Sequence, residues 1–273
     1  WSCVRDNVTG LVWENQTETE SNLRYTPTTA LTKVDTVNTG GLCGSVNWRL
    51  PERKELLSIV HYGLTVSGRS IDEDYFPYTA PVSNYYWASE RDTSNSENAW
   101  GVSFSGGSSS SYYEINNFHI RLVSGVSLSP RFTNNNNGTV SDENTGLIWK
   151  KCSEGQTWNG VTNLCDGSVL DYTWQLALQQ TQDVNAGSVG EKLGYGDWRL
   201  PNIKELSSIT DLTKTNPGID TTIFPSTPSN KYWSSTPNTN YATIAWVVNY
   251  SQGSPWDAQV TSLHNVRLVR GGQ

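Results

Sequence analysis

Methionine is missing from all 273 residues, histidine occurs three times, phenylalanine five times and cysteine four times, and only 16% of the side chains are charged. Each scarcity closes off a class of function. Without methionine the chain does not open on an initiator residue, and the expectation is an exported protein from which a signal peptide or upstream segment has been removed. Nineteen Lys and Arg against 26 Asp and Glu leave a net charge of -7 and a pI near 5.0, so there is no basic footprint for nucleic acid or for an anionic membrane surface. No apolar run approaches the roughly 20 residues of a membrane span. His61, His119 and His264 stand in no Gly-x-Ser-x-Gly setting and beside no cysteine pair, which removes the usual signatures of a hydrolytic triad and of a zinc site. The reading is therefore non-enzymatic, with no cofactor and no metal.

What is present is a duplication. Trp48-Arg49-Leu50-Pro51-Glu52-Arg53-Lys54-Glu55-Leu56-Leu57-Ser58-Ile59 returns as Trp198-Arg199-Leu200-Pro201-Asn202-Ile203-Lys204-Glu205-Leu206-Ser207-Ser208-Ile209. Around this signature the order of shared blocks is kept. Asp6 and Gly10 to Trp13 match Asp142 and Gly146 to Trp149; Phe76-Pro77 matches Phe224-Pro225; Tyr86-Trp87 matches Tyr232-Trp233; Ala99-Trp100 matches Ala245-Trp246; Arg121-Leu122-Val123 matches Arg267-Leu268-Val269. Two domains follow, 1–126 and 127–273, joined near Ser127-Leu128-Ser129-Pro130. The spacing widens between Trp149 and Trp198, an insertion of about 14 residues in the second copy. What the copies share is the fold, and what they do not share is where individual function should lie.

The cysteines fall two per copy and allow three connectivities. Cys152 and Cys165 bracket a polar loop with no histidine or second cysteine pair beside it, which favours a local bridge over a metal. Cys3 beside the first strand and Cys43 before the signature make the matching bridge in the first copy. Such bridges belong to an oxidising compartment and each adds about 2–4 kcal/mol.

Periodicity places helices at Thr28 to Gly40, with Ala30, Val34 and Val37 inward, and at Tyr172 to Gly187, with Trp174, Ala177, Leu178 and Thr181 inward. The signature supplies a second helix per copy, with Pro51 or Pro201 in its first turn. Strands are expected at Tyr85 to Trp87, Trp100 to Phe104, Ile115 to Val123, Tyr232-Trp233, Trp246 to Tyr250 and Val260 to Val269, with Gly106-Gly107 and Gln252-Gly253 at hairpin connections. Arg131 to Val140 reads as an opening hairpin that the first copy lacks. Each copy is thus α+β, two helices packed on antiparallel strands.

The run from Arg131-Phe132-Thr133 through Gly138 to Asp142 and Gly146-Leu147-Ile148-Trp149, then Trp198-Arg199-Leu200-Pro201, Tyr232-Trp233-Ser234-Ser235 and Val266 to Arg270, resembles the C-terminal domain family of the Legionella collagen-like protein, and both halves match. The resemblance implies two tandem C-type-lectin-like domains on an exported or cell-surface bacterial protein, adhesin-like or carbohydrate-binding. The namesake binds glycosaminoglycans as a trimer; this chain is acidic and carries no collagen-like repeat. Formylglycine-generating enzymes share the wider fold and give a remote enzymatic alternative, which needs two reactive cysteines late in the domain, whereas the cysteines here lie early.

Candidate sites are weighed on this frame. Glu55 and Glu205 recur beside Arg49, Arg199, Arg121 and Arg267 and read as structural ion pairs. Asp72-Glu73-Asp74 offers oxygens for calcium, yet only Asp72 recurs, as Asp220, where Asp is a natural cap. Eight of the twelve tryptophans form repeat pairs and belong to the core; Trp1, Trp158, Trp174 and Trp256 have no partner. Trp174 fits a buried helix face. Trp158 in the disulfide loop, Trp256 with Asp257 in a polar hairpin, and Tyr112-Tyr113 in the corresponding hairpin of the first copy are the candidate ligand-binding residues, for a surface glycan or a protein; packing against a neighbouring loop or copy is the alternative. A second reading is a structural subunit of an extracellular appendage or filament, self-assembling as a homo-oligomer or polymer. Its support is the low charge, the Ser/Thr/Asn-rich surface and an opening strand, Val4 to Trp13, whose outer edge has no counterpart of Arg131 to Val140. That edge is expected to be covered by domain 2, a neighbouring subunit or an upstream segment.

Overall fold

A computed structural model describes residues 2–63, 68–80, 84–127 and 131–272. Trp1 and the linker positions Leu128 to Pro130 lie outside the described residues. The chain divides into two compact units, Trp1–Leu128 and Ser129–Gln273.

In domain 1 the strands β1 (Cys3–Arg5) and β2 (Val12–Glu14) are followed by helix α1 (Pro27–Gly40), β3 (Trp48–Arg49), helix α2 (Arg53–Ser58), β4 (Tyr85–Arg91), β5 (Asn98–Ser103), β6 (Ser109–Tyr113) and β7 (Val123–Ser124). They form one sheet in the order β1-β2-β7-β3 and one three-stranded meander, β4-β5-β6. Domain 2 runs β8 (Phe132–Asn134), β9 (Thr139–Asp142), β10 (Leu147–Lys150), β11 (Thr157–Asn159), β12 (Leu164–Asp166), helix α3 (Trp174–Ala186), helix α4 (Ile203–Ser208), β13 (Lys231–Pro237), β14 (Ile244–Asn249), β15 (Ser254–Gln259) and β16 (Val269–Gly271). Its sheets are β16-β10-β9-β8, the hairpin β11-β12 and the meander β13-β14-β15. All paired strands are antiparallel. Both units are mixed α and β, mostly antiparallel sheet with few helices.

The long helices start and stop for local reasons. Thr26 caps α1 in a capping box with Thr29, Pro27 opens the first turn, and Gly41 at φ 64° ends it. Thr173 and Gly187 do the same for α3. Ala30 and Val37 of α1 bury against Trp48, Trp87 and Leu122. Ala177 and Val184 of α3 bury against Trp198, Trp233 and Leu268. Four buried indole N–H groups find carbonyls: Trp48 donates to Leu42 and Trp198 to Lys192, while Trp87 donates to Tyr25 and Trp233 to Tyr172; those of Trp13, Trp100 and Trp149 are buried without a partner among the described residues. An asparagine near the end of each long helix, Asn38 or Asn185, binds both the N–H and the carbonyl of the signature tryptophan, so helix and signature are clamped together.

Two expectations need correction. Pro51 and Pro201 stand before their helices, not in the first turn: the caps are Glu52 and Asn202, each in a capping box with Glu55 or Glu205. The prolines' carbonyls accept the N–H of Ser89 and Ser235, 2.8 Å in both domains, which ties the helix entry to the meander. Ile115 to Val123 and Val260 to Val269 are not continuous strands. The chain there crosses from one sheet to the other and divides its hydrogen bonds. Phe118 bridges Tyr25, His119 bridges Tyr86, and Val123 alone joins β2 and β3; His264 and Asn265 repeat the pattern on Tyr172 and Tyr232. The segment Ser109–Tyr113, given above only as part of a hairpin, is the third meander strand in its place.

The copies also differ inside. Glu14 on β2 is buried and its carboxylate lies 3.5 Å from Lys33 of α1. The equivalent strand position in domain 2 is Lys150, paired at 2.8 Å with Glu154, which also accepts from Gln180 at the Lys33 position. One buried site thus holds opposite signs in the two domains. Reversing Glu14 alone sets a buried ammonium against that of Lys33, whose remaining partner is the half-buried Glu20 at 2.8 Å. The expected outcome is that Glu14→Lys destabilises domain 1 by about 3–5 kcal/mol in urea unfolding and that adding Lys33→Glu recovers a large part. Equal stability of the single and double variants would contradict the coupling.

Candidate ligand-binding surface

The meanders decide which aromatic side chains reach the surface. Along β14 and β15, Val247 pairs with Trp256 and Trp246 with Asp257. Directly paired residues share a face, so Trp256 lies on the side of the buried Val247 and Trp233, whereas Asp257 points to the other side with Trp246. The structure therefore does not bring Trp256 and Asp257 together. At the outer strand of the meander Trp256 runs out of cover and is left 46% exposed. The Lys231 ammonium stands 5.5 Å from its ring centroid. His264 packs at a tilt on Trp233, 4.8 Å between centroids, and its buried Nε2 has no hydrogen-bond partner among the described residues. Burial pulls its pKa below the ordinary value, and the nearby Lys231 charge adds to the effect, so the ring is neutral at pH 7.

Domain 1 fills the same corner with rings. Tyr85 stands in the place of Lys231 and Phe118 in that of His264; Tyr112 packs 4.6 Å from Tyr85 and 5.1 Å from Phe118, and Phe118 lies 4.5 Å from Trp87. Burial and the neighbouring Tyr85 hydroxyl push the Tyr112 phenol well above the usual range. Tyr112 is thus a packed residue. Tyr113, on the opposite face beside Asn98, is 55% exposed. Ser110 occupies the Trp256 position.

Trp158 sits on the insertion hairpin β11–β12, which Cys152–Cys165 staples to the body. Its backbone N–H donates to Glu191, the Lys151 ammonium lies 4.5 Å from its ring, and a Cβ at Gly138 would approach the indole to 3.0 Å. Half-buried on these contacts, it anchors the hairpin and offers no open platform. In domain 1 the bridge Cys3–Cys43 holds β1 to the loop before the signature. Cys43 adopts φ 51° and the residue at its place in domain 2, Leu193, φ 50°, so the backbone turns alike on a bridged cysteine in one copy and on a leucine packed against the core in the other.

The polar candidates resolve as local structure. Glu55 is bound by Arg49 through two 2.7 Å contacts, and Glu205 by Arg199 likewise. Arg121 and Arg267 do not join these pairs; they are buried on backbone carbonyls and threonine hydroxyls. Asp72 and Asp220 cap their own turns, on the N–H groups of Asp74 and Thr222, while Glu73 pairs with Arg69 at 2.6 Å. No group of three or more His, Cys, Asp or Glu could hold a metal ion among the described residues. All four cysteines are in bridges.

Lys231 and His264 were not singled out from the sequence as site residues. The signal was there: each replaces an aromatic residue of the other copy, Tyr85 and Phe118, at a repeat position.

These features define a duplicated, disulfide-bonded α+β module whose two copies keep one frame and vary their hairpin corners. Residues 2–124 and 138–270 each match the model of the Lcl C-terminal domain, and the chain belongs to that family. No curated protein matches the chain. The family and the two disulfides are consistent with an exported protein, and no helix among the described residues is long and apolar enough to cross a membrane.

His119 is buried against Tyr86, with its ring nitrogens near the Ser21 and Leu23 carbonyls but out of hydrogen-bond geometry. Burial, assisted by Arg24, drops its pKa from 6.5 to about 4. The unfolded chain therefore binds this proton where the folded one does not. Stability from the neutral ring is fully present above about 6.5 and is lost as pH falls toward 4. The residue at this place in domain 2 is Asn265. In urea titrations the domain 1 midpoint should fall across that window, and His119→Asn should flatten the fall; identical slopes would assign it to other groups.

Proposed function

We propose that the chain is a non-enzymatic, exported surface protein, adhesin-like, in which two C-type-lectin-like domains present their hairpin corners to a surface glycan or a protein ligand, with Trp256, Lys231 and His264 of domain 2 as the principal contact. The observation that carries this is Trp256. Serine holds its position in domain 1, so the frame does not require an indole there, and nearly half of the ring faces solvent. A half-exposed indole stacks on the apolar face of a sugar ring, the ammonium beside it bonds a hydroxyl or carboxylate, and the neutral imidazole, packed on Trp233, backs the patch. Nothing in this patch is a nucleophile with an adjoining base. The consumption of every cysteine in a bridge argues against formylglycine-generating chemistry.

A second reading, the subunit of an appendage or filament, draws its support from the outer edge of β1, which has no neighbouring strand among the described residues. Light scattering of the native material separates the two, since a subunit of this kind grows with concentration and an adhesin domain stays a monomer or small oligomer.

For the first reading, a glycan array on the full chain followed by calorimetry on the best ligand is the test. Trp256→Ala and Lys231→Ala should each weaken binding by about 1–3 kcal/mol with the melting temperature unchanged, while Tyr112→Ala should lower the melting temperature and leave binding in domain 2 intact. Undiminished binding by Trp256→Ala would sink the assignment.

A further inference from the structure

Three buried side chains of domain 2 meet on one carboxylate. Lys150, at the end of β10, donates from Nζ to Glu154 Oε1 at 2.8 Å, and Gln180, in the middle of α3, donates from Nε2 to Glu154 Oε2 at 2.9 Å. The Lys150 and Glu154 side chains are 4% and 2% exposed, and Gln180 is buried with them. The backbone fixes the carboxylate's position: the Glu154 N–H bonds the Val266 carbonyl, and the Glu154 carbonyl accepts the Leu170 N–H. The Trp198 ring covers Nζ, with its centroid 5.4 Å away. Gly190, at φ 61°, closes the other side, where a Cβ would stand 3.1 Å from Glu154 Oε2 and 3.8 Å from Gln180 Nε2.

An amine, a carboxylate and a carboxamide held in this order are the parts of an amide exchange. One oxygen of Glu154 touches the nitrogen that would attack, and the other touches the nitrogen that would leave, so a single group can carry the proton between them. A dry surrounding narrows the energy gap between an ion pair and its neutral amine–acid form. The fold also holds the reactants together, which removes the entropic cost of their meeting. Domain 1 lacks the third part. Lys33, at the place of Gln180, lies 3.5 Å from Glu14 and 2.8 Å from Glu20, and an ionised carboxylate does not accept a nucleophile at its carbon.

We propose that Lys150 and Gln180 join in an intramolecular amide bond, made by the folded domain itself with Glu154 as proton carrier, so that β10 and α3 become covalently linked. Glu154 Oε1 takes a proton from the Lys150 ammonium. The neutral Nζ attacks Gln180 Cδ, and the carbonyl π pair moves onto the Gln180 oxygen as the new C–N bond forms. Glu154 then gives its proton to Nε2; the oxygen pair restores the carbonyl, and the Cδ–Nε2 bond breaks with its electrons on the departing ammonia. The second proton shed by Nζ ends on that ammonia as ammonium, and the carboxylate is regenerated. No oxidant, metal or co-reactant enters. The step occurs once per chain and leaves the Trp256 patch untouched, so its test does not depend on any glycan. With the Cys152–Cys165 bridge close by in sequence, the same stretch of domain 2 would be fastened twice, once by a bond that reduction does not open.

Intact-mass spectrometry and peptide mapping of the folded, oxidised full chain give the test. The mass should be that of the sequence with two disulfides less one ammonia, and digestion should yield a branched peptide joining Lys150 to Gln180, with trypsin no longer cutting after Lys150. Gln180→Met should restore the full mass. Glu154→Gln, in a chain shown by hydrogen exchange to be folded, should leave both side chains unlinked; a branched peptide formed without this carboxylate would overturn its role. Mapping is part of the test because Asn137-Gly138 and Asn159-Gly160 also shed ammonia when the side chain closes on the next backbone nitrogen. A deficit located there with Lys150 and Gln180 free, or one that persists in Gln180→Met, would overturn the proposal. So would the full mass in the unsubstituted chain after prolonged incubation in the folded state, a result that needs no variant to fold.

Discussion

A guanidinium buried in the middle of each domain, Arg121 or Arg267, holds together segments that are far apart in sequence. Both side chains are fully buried. Arg121 donates to the Glu14 carbonyl at 3.0 Å and to the Thr79 hydroxyl at 3.1 Å; Arg267 donates to the carbonyls of Lys150 and Lys151 and to Thr227 at 2.6 Å. Those threonines in turn donate to the Phe76 and Phe224 carbonyls. The planar cation also lies over rings, 4.7 Å from Phe76 and 4.9 Å from Phe224. One side chain therefore joins the end of a central strand, the Phe-Pro turn and the first meander strand. No carboxylate lies within ion-pair distance of either arginine among the described residues, and Nε has no partner in either. For Arg121 burial draws the pKa down, which is the cost of a charge placed where only dipoles and π faces surround it.

With that tie in place the rest of each domain is free to diverge. The buried site between β2 and α1 uses Glu14 with Lys33 in one copy and Lys150 with Glu154 in the other. At the start of the short helix the residue 53 N–H is bound by the Glu90 carboxylate, with Arg53 itself buried over Trp100; at the same place Ile203 donates to the Thr236 hydroxyl. Burial holds the Arg53 pKa at about 10. The surface diverges as well: the ring cluster of Tyr85, Tyr112 and Phe118 in domain 1 has Lys231, Trp256 and His264 at the same corner of domain 2, and the disulfide hairpin β11–β12 of domain 2 has no counterpart among the described residues of domain 1.

The duplication made most of the frame legible, because a side chain kept in both copies is constrained by the fold. The paired tryptophans are all buried, and the long helices lie within two residues of their expected limits. Some features were hidden for physical reasons. Glu55 and Arg121 were both recurrent charges, and recurrence cannot distinguish a bidentate pair with Arg49 from a cation satisfied by carbonyls more than a hundred residues away. The crossing segments Ile115 to Val123 and Val260 to Val269 read as strands since their alternation is real, yet alternation does not reveal that the hydrogen bonds change sheets halfway. Of the candidate aromatics, Tyr112 and Trp158 were indistinguishable from Trp256 in a polar context; only the register shows that Tyr112 faces Tyr85 and Phe118, that Trp158 rests on Gly138, and that Trp256 and its neighbour Asp257 look opposite ways.

The account rests on the buried guanidinium being required for each domain separately. Its most direct test is Arg267→Met in the full chain, with urea unfolding followed residue by residue through hydrogen exchange. Removal strands the Lys150 and Lys151 carbonyls and the Thr227 hydroxyl without their donor, so domain 2 should lose about 3–5 kcal/mol while domain 1 keeps its stability. A loss below about 1 kcal/mol in domain 2 would show that methionine packing replaces the tie, and would contradict the account.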